Sequence, residues 1–265
     1  YPGHYGMVVL SRYPIRDDLV RTFSTMRWID LPGATLPDDP ATAAATDWYD
    51  DAARSVLRLS SKGHWDVPID VDGVLVHLLV SHPTPPVFDG PEDRNGRRNH
   101  DEIGFWAAYL DPARASALVD DAGRSGGLAP GAPFVILGDL NADPHDGESR
   151  PGAAAQVLEC ARVRSAPIPR SLGAMEASAA QGGVNVGQRG DPAFDTADFD
   201  DERGPGNLRV DYVLPSIECV VMGGGVFWPG VDEPGHALVA SSWSSDHRLV
   251  WVDLSIPSRF RSDRR

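Results

Sequence analysis

Three polar clusters stand where apolar runs end. Ser81-His82-Pro83 follows the run 74–80, Gly138-Asp139-Leu140-Asn141 follows the run 134–137, and Ser245-Asp246-His247 precedes the run 249–254. A fourth cluster, Arg209-Val210-Asp211-Tyr212-Val213, sets an aspartate inside an apolar stretch. Each alone is ordinary, because Asp and Asn beside a turn commonly bond their own backbone. Together they form a chemical kit. Asp211 is expected to be half-buried, and a buried carboxylate needs a partner. A histidine from another strand end would supply one, and the carboxylate would fix its tautomer and raise its basicity. Asp139, Asn141 and Asp246 offer hard oxygen ligands, which suit Mg²⁺, Mn²⁺ or Ca²⁺ rather than Zn²⁺. A hard cation, a His–Asp pair and an amide donor are what in-line attack of water on a phosphate ester requires.

Further residues could meet a substrate. Lys62 and His64 lie in Ser60-Ser61-Lys62-Gly63-His64-Trp65-Asp66, which reads equally as a structural turn or as the rim of a binding site. Arg94, Arg97 and Arg98 form one local positive patch in an acidic chain. They read as a solvated loop or as a phosphate clamp, since guanidinium forks match phosphate oxygens. Arg12 is a weaker candidate of the same kind. Asp198, Asp200, Asp201 and Glu202 read as a solvated acidic face.

Strands and helices must position these groups. Strands are expected over 6–11, 21–31, 55–60, 67–71, 74–81, 134–138, 208–214, 217–222, 225–228 and 249–254. Asp72-Gly73 marks a hairpin turn. Asn99, followed by Glu102, reads as the N-cap of a helix carrying Ile103, Trp106, Ala107 and Leu110. Further helices are expected over 113–122 and 151–160. Residues 82–99 and 171–208 read as long loops, which tend to be functional. Strands predominate without strict βα alternation, which favours an α+β sandwich over a doubly wound parallel sheet.

The 265 residues suffice for a sizeable core, read as a single domain over 1–256 with a basic tail over 257–265. No run approaches the ~20 apolar residues of a membrane span. The chain opens at Tyr1 with neither a methionine nor a visible leader, as expected of a processed, trimmed or partial chain. A net charge of -14 argues against binding nucleic acid through bulk charge, though a bound cation can reverse the local sign. Cys160 and Cys219 are too few for a disulfide framework and read as small buried apolar residues, with one disulfide as the alternative.

The four clusters, with Gly6-Met7-Val8-Val9-Leu10-Ser11-Arg12-Tyr13-Pro14-Ile15, resemble in their order the endonuclease/exonuclease/phosphatase superfamily, to which pancreatic deoxyribonuclease and the sphingomyelinases belong. Ser81-His82-Pro83-Thr84-Pro85-Pro86 and Asp195-Thr196-Ala197-Asp198-Phe199 look like a bacterial subgroup of it. The resemblance implies a deoxyribonuclease-I-like α/β/β/α sandwich of four layers, with the site at one rim of its two sheets. It implies a metal-dependent hydrolase of phosphate esters, either a phosphodiesterase or a phosphatase. Asp139 would position or activate water, and Asn141 would contact the phosphate. His247, paired with Asp211, would handle protons or transition-state charge. His82 would assist at the phosphate or leaving oxygen, with Asp30 as its carboxylate partner. Asp246 and Asp139 would hold the cation, Mg²⁺ first, with Mn²⁺ or Ca²⁺ as alternatives.

The family pattern also places an Asn-ending strand and a Glu-bearing strand before the Gly6 segment, where this sequence has five residues. Those strands are expected to be missing, which leaves a catalytically impaired binding module or an inactive fragment as the alternative reading. The expected partner is a phosphoester substrate: a small molecule, a lipid headgroup or a nucleic acid. The chain is expected to be a monomer, with a secreted or extracytoplasmic location slightly favoured.

Overall fold

The computed structural model describes residues 5–241 and 243–257. Its strands are β1 (Arg21–Thr22), β2 (His64–Val71), β3 (Val74–Ser81), β4 (Phe134–Asp139), β5 (Ala197–Asp198), β6 (Asn207–Leu208), β7 (Asp211–Pro215), β8 (Val220–Phe227) and β9 (Leu249–Ser255). Its α-helices are α1 (Asp51–Val56), α2 (Arg94–Leu110), α3 (Pro112–Ala115), α4 (Ala155–Leu158), α5 (Leu172–Gln181) and α6 (His236–Val239).

The main sheet grows from the Asp72-Gly73 turn. Both residues take positive φ (51° and 88°), as a tight two-residue hairpin demands, and β2 and β3 then pair from Val71↔Val74 to His64↔Ser81. The apolar run of β4 pairs parallel to β3, and β7 pairs antiparallel to β4, giving the order β1-β2-β3-β4-β7. The parallel pair puts the C-terminal ends of β3 and β4 on one edge. The antiparallel β7 brings its first residue to the same edge, with Asp211 directly opposite Asp139.

Helix α2 covers one face of this sheet. Ile103, Phe105, Trp106, Tyr109 and Leu110 recur at helical spacing and are almost wholly buried against Phe23, Leu79, Phe134 and Ile136. Each such side chain contributes about 1.5–3 kcal/mol. The opposite face, centred on Val74, Val76 and Val135, meets Leu254 and Ile256 of the β9 segment. Strands β8 and β9 form a two-stranded second sheet, and α5 packs on it through Ala174 and Ala177 against Val226, Trp228 and Val250. The mixed sheet with its helices is the α+β arrangement expected. The outer side of the β8–β9 pair stays open, with Leu249 67% exposed.

Several elements differ from expectation. The apolar run 6–11 is irregular and leaves Val8 and Leu10 exposed, because no neighbouring strand pairs with it among the described residues. Continuous pairing in 21–31 ends at Thr22, with only an isolated bridge from Arg27 to Arg58 beyond it, and Trp28–Asp30 forms a 3₁₀ turn. In 55–60 the cap provided by Asp50, which accepts from Ala53 N (2.7 Å), overrides the alternation, and the segment opens as α1. Helix α2 starts five residues before Asn99, with Asp89 accepting from Asn95 N (2.6 Å), so Asn99 and Glu102 lie inside it, fully buried. The helices expected over 113–122 and 151–160 shrink to α3 and α4. The loop read over 171–208 contains α5 and the β5–β6 pair. Strands 217–222 and 225–228 are one strand, β8, with a register shift between Val221 and Gly223. Cys160 and Cys219 are free, so the disulfide alternative is ruled out. Most of the basic tail, 258–265, lies outside the described residues.

Candidate active site

Backbone geometry at Gly138 brings the ends of β3 and β4 together. Its φ is +142°, and a Cβ there would stand 1.9 Å from the Ser81 carbonyl oxygen. Only glycine permits this approach, and it sets His82 beside Asp139. His247 arrives separately. Its segment is strapped to the β5 region by Asp198 N donating to Asp246 O (2.8 Å) and Arg248 N donating to Thr196 O (2.7 Å).

The side chains then converge. His82 Nε2 lies 3.3 Å from Asp139 Oδ2, and His247 Nε2 lies 3.9 Å from the same oxygen. His247 Nδ1 bonds Asp211 Oδ2 at 2.8 Å. Asn141, at φ +50°, donates its backbone N–H to Asp139 Oδ1 (2.7 Å) and its side-chain amide to Asp139 Oδ2 and to Pro83 O (3.1 Å each). Lys62 Nζ donates to that same Pro83 carbonyl (3.3 Å), which places its ammonium at the rim.

Electrostatics follow from these contacts. The hydrogen bond to Asp211 raises the His247 imidazole to about 9, against the lowering effect of its burial. Burial pushes the Asp211 carboxyl upward, while its hydrogen bond to the imidazole pulls it back. Burial lowers the Lys62 ammonium pKa, and Glu102 and Asp139 oppose that.

The sequence profile of the endonuclease/exonuclease/phosphatase family matches residues 1–247. The chain belongs to this family. No curated protein matches it significantly. Among solved structures, an endonuclease/exonuclease/phosphatase from Beutenbergia cavernae is 18% identical, with TM-score 0.48, over 93% of this chain and 46% of its own. A sphingomyelinase C from Streptomyces griseocarneus is 15% identical, with TM-score 0.37, over 73% of this chain and 55% of its own. A 3′ phosphatase from Neisseria bound to product DNA hairpin is 16% identical, with TM-score 0.43, over 92% of this chain and 73% of its own. The chain spans about half the length of the first of these.

Of the residues picked from sequence, His82, Asp139, Asn141, Asp211 and His247 meet in one cluster, and Lys62 borders it. Others do not join it. His64 is wholly buried, bonded through Nε2 to Glu102 O (2.8 Å) and packed on the Phe105 ring at 4.3 Å, so it belongs to the core rather than to a rim. Arg97 donates to Leu36 O (3.2 Å) and Asp38, and Arg98 donates to Leu59 O (2.7 Å) and covers the Trp28 ring. Arg94 donates to Phe88 O (3.1 Å). The expected clamp is therefore spent on stapling α2 to its neighbours. Arg12 is exposed, with no hydrogen bond or ion pair to the cluster among the described residues. Asp30 pairs with Arg27 (2.7 Å), and the carboxylate beside His82 is Asp139 instead. Asp198 is not simply solvated, because it pairs with Arg248 (2.8 Å).

Three residues that support the site escaped the sequence reading. Thr196 donates its hydroxyl to Asp211 Oδ2 (2.9 Å) and accepts from Val210 N and Asp211 N, which fixes the carboxylate behind His247. Asn99 donates to the carbonyls of Thr84 and Leu140 (2.9 Å each) and Asn141 (3.4 Å), tying both catalytic loops to α2. Glu102 accepts from Thr84 N beside it. The sequence signal is a polar pair three residues apart on an otherwise apolar helix face, a pattern that also fits a cap.

The donor set fits a divalent cation. Asp139, Asp211 and His247 bring one potential ligand atom each within 4.8 Å of one another, and with His247 holding a proton the hard oxygens of Asp139 and Asp211 are the donors a cation would take. Mg²⁺ is commonly held by one or two carboxylates and keeps several waters. Asp246 is exposed, and its carboxylate is not among these three ligand atoms.

Proposed function

We propose that this chain hydrolyses phosphate esters by attack of an activated water, with a divalent cation held at Asp139 and its neighbours. The observation that carries this reading is the convergence of two carboxylates, one amide and two imidazoles on a single sheet edge, with Asp211 and His247 joined as a half-buried pair. When bound, the cation supplies charge neutralisation at the phosphoryl oxygens. Asp139 orients the water and accepts its proton. His247, protonated and backed by Asp211, donates from Nε2 to a phosphoryl oxygen as negative charge builds there. Asn141 and Lys62 hold the phosphate, and His82 returns a proton to the departing alkoxide as the P–O ester bond breaks.

The test is hydrolysis of bis-p-nitrophenyl phosphate and p-nitrophenyl phosphate with Mg²⁺, Mn²⁺ or Ca²⁺, and with chelator. Turnover that chelator abolishes, and that Asp139→Ala and His247→Ala each remove, supports the reading. Turnover indifferent to chelator, or wild-type rates in either variant, overturns it. A Mg²⁺-dependent rise in Tm that Asp139→Ala lacks would report the cation without turnover.

A further inference from the structure

Beside Asn141 the surface opens into a cavity of ≈ 530 Å³ that the chemistry above does not use. Three loops build it: the one after β3, the one after β4, and the β5–β6 turn. Its walls are largely apolar, through Pro86, Val87, Phe88, Phe199, Leu208 and Val210. Leu208 and Val210 are buried in a small cluster with Ala197, against which Phe199 packs. Phe199 joins the cavity to the catalytic group directly, since its ring meets the His247 ring edge-on at 5.5 Å.

Phe88 carries the inference further. It is a non-glycine residue at φ +64°, a conformation that L side chains seldom adopt, and its ring is 88% exposed at the cavity mouth. Arg94 donating to Phe88 O (3.1 Å) and Asn95 donating to Val87 O (2.6 Å) hold it there. Strain of this sort, imposed by neighbours on a residue that then offers its ring to water, is characteristic of ligand clamps.

Charge narrows the ligand. Asp143, Asp146, Glu148 and Asp200 line the cavity against one guanidinium, Arg203. Asp143 and Asp146 accept backbone N–H groups, which holds them in place. A second phosphate in this space would face net negative charge.

We propose that this cavity receives the apolar alcohol portion of a phosphoester, an aryl or alkyl group without further phosphates, while the single phosphate sits at His82, Asn141 and His247. This rests on the phosphoesterase reading and narrows it, disfavouring a polynucleotide. The contacts divide accordingly: Phe88 acts on the organic group and should affect KM, whereas Asp139 and His247 act on the phosphate and set kcat.

Binding tests it without turnover. Isothermal titration in Mg²⁺ buffer would compare methylphosphonate, phenylphosphonate, octylphosphonate and tetrathymidylate. Phenyl- or octylphosphonate should bind at least tenfold tighter than methylphosphonate, and the stronger of the two tells an aromatic from an aliphatic source. Phe88→Ala, which removes an exposed ring and leaves the core intact, should erase at least a threefold part of that preference and leave methylphosphonate unchanged. In kinetics, phenyl p-nitrophenyl phosphate should show a lower KM than methyl p-nitrophenyl phosphate at similar kcat. Failure of both phenyl- and octylphosphonate to bind more tightly than methylphosphonate, or tetrathymidylate binding more tightly than either apolar phosphonate, overturns the subsite even if esters are hydrolysed. Phosphonate discrimination in a chain that turns over no ester supports the subsite and overturns the phosphoesterase reading.

Discussion

Asp211 and His247 are 36 residues apart in the chain and 2.8 Å apart in space. The contact depends on two independent placements: β7 sets the carboxylate opposite Asp139, and the strap to Thr196 and Asp198 delivers the imidazole. Thr196 belongs to both, since its carbonyl accepts from Arg248 N and its hydroxyl donates to the Asp211 carboxylate. Replacing Asp211 with Asn keeps the shape and removes the charge that stabilises an imidazolium. Asp211→Asn should lower kcat by roughly 10²–10⁴-fold with little change in KM. Steady-state kinetics on bis-p-nitrophenyl phosphate measures it, and a loss below tenfold would mean the pair is structural.

Gly138→Ala should damage both fold and activity. The added methyl has no room against the Ser81 carbonyl, and φ +142° is costly for alanine. The ends of β3 and β4 must then part, carrying His82 away from Asp139. A stability loss of roughly 1–3 kcal/mol is expected in urea denaturation, together with a fall in kcat that exceeds what the remaining folded fraction explains. A fully active, fully stable variant would show that the close approach is not needed.

Asn99→Leu fills the same space and withdraws the donor that three loop carbonyls share. Buried carbonyls left without a partner cost about 1–3 kcal/mol. Because two of them belong to the 140–141 turn, kcat should fall as well, while Mg²⁺ binding by titration calorimetry weakens only modestly. Wild-type kinetics in a destabilised variant would reduce Asn99 to a stability role.

His64 makes the fold acid-sensitive. Burial lowers its pKa from 6.5 to about 4, and its bond to Glu102 O offsets only part of that. A histidine held neutral when folded contributes full stability above its unfolded pKa near 6.5. That contribution is lost as pH falls from 6.5 toward 4, since only the unfolded chain takes up the proton in that window. The loss amounts to roughly 3 kcal/mol. Urea titrations at pH 7.5 and 4.5 should show the wild type losing more stability than His64→Leu by about that amount. Equal losses would place the acid sensitivity elsewhere.

Local spacing determined much of this protein. The Asp72-Gly73 hairpin, the apolar run that becomes β4 and the polar residues that end it were legible because turn chemistry and strand alternation act within a few residues. The identity of His82, Asp139, Asn141, Asp211 and His247 as chemical groups was legible for the same reason, and their order along the chain matched a family. Tertiary structure decided the rest. His64 and Lys62 are two residues apart, yet one is wholly buried and the other stands at the rim, because Gly63 between them takes φ +99° and breaks the extended run: His64 begins β2 beneath α2, while Lys62 stays in the preceding loop. Arg97 and Arg98 looked free because their acceptors, the carbonyls of Leu36 and Leu59, come from distant segments. Likewise, no short window could reveal that a carbonyl of Ser81 presses on Gly138, or that three loops enclose a cavity beside Asn141. Such contacts depend on through-space distances between residues tens of positions apart, which exist only once the strands have paired.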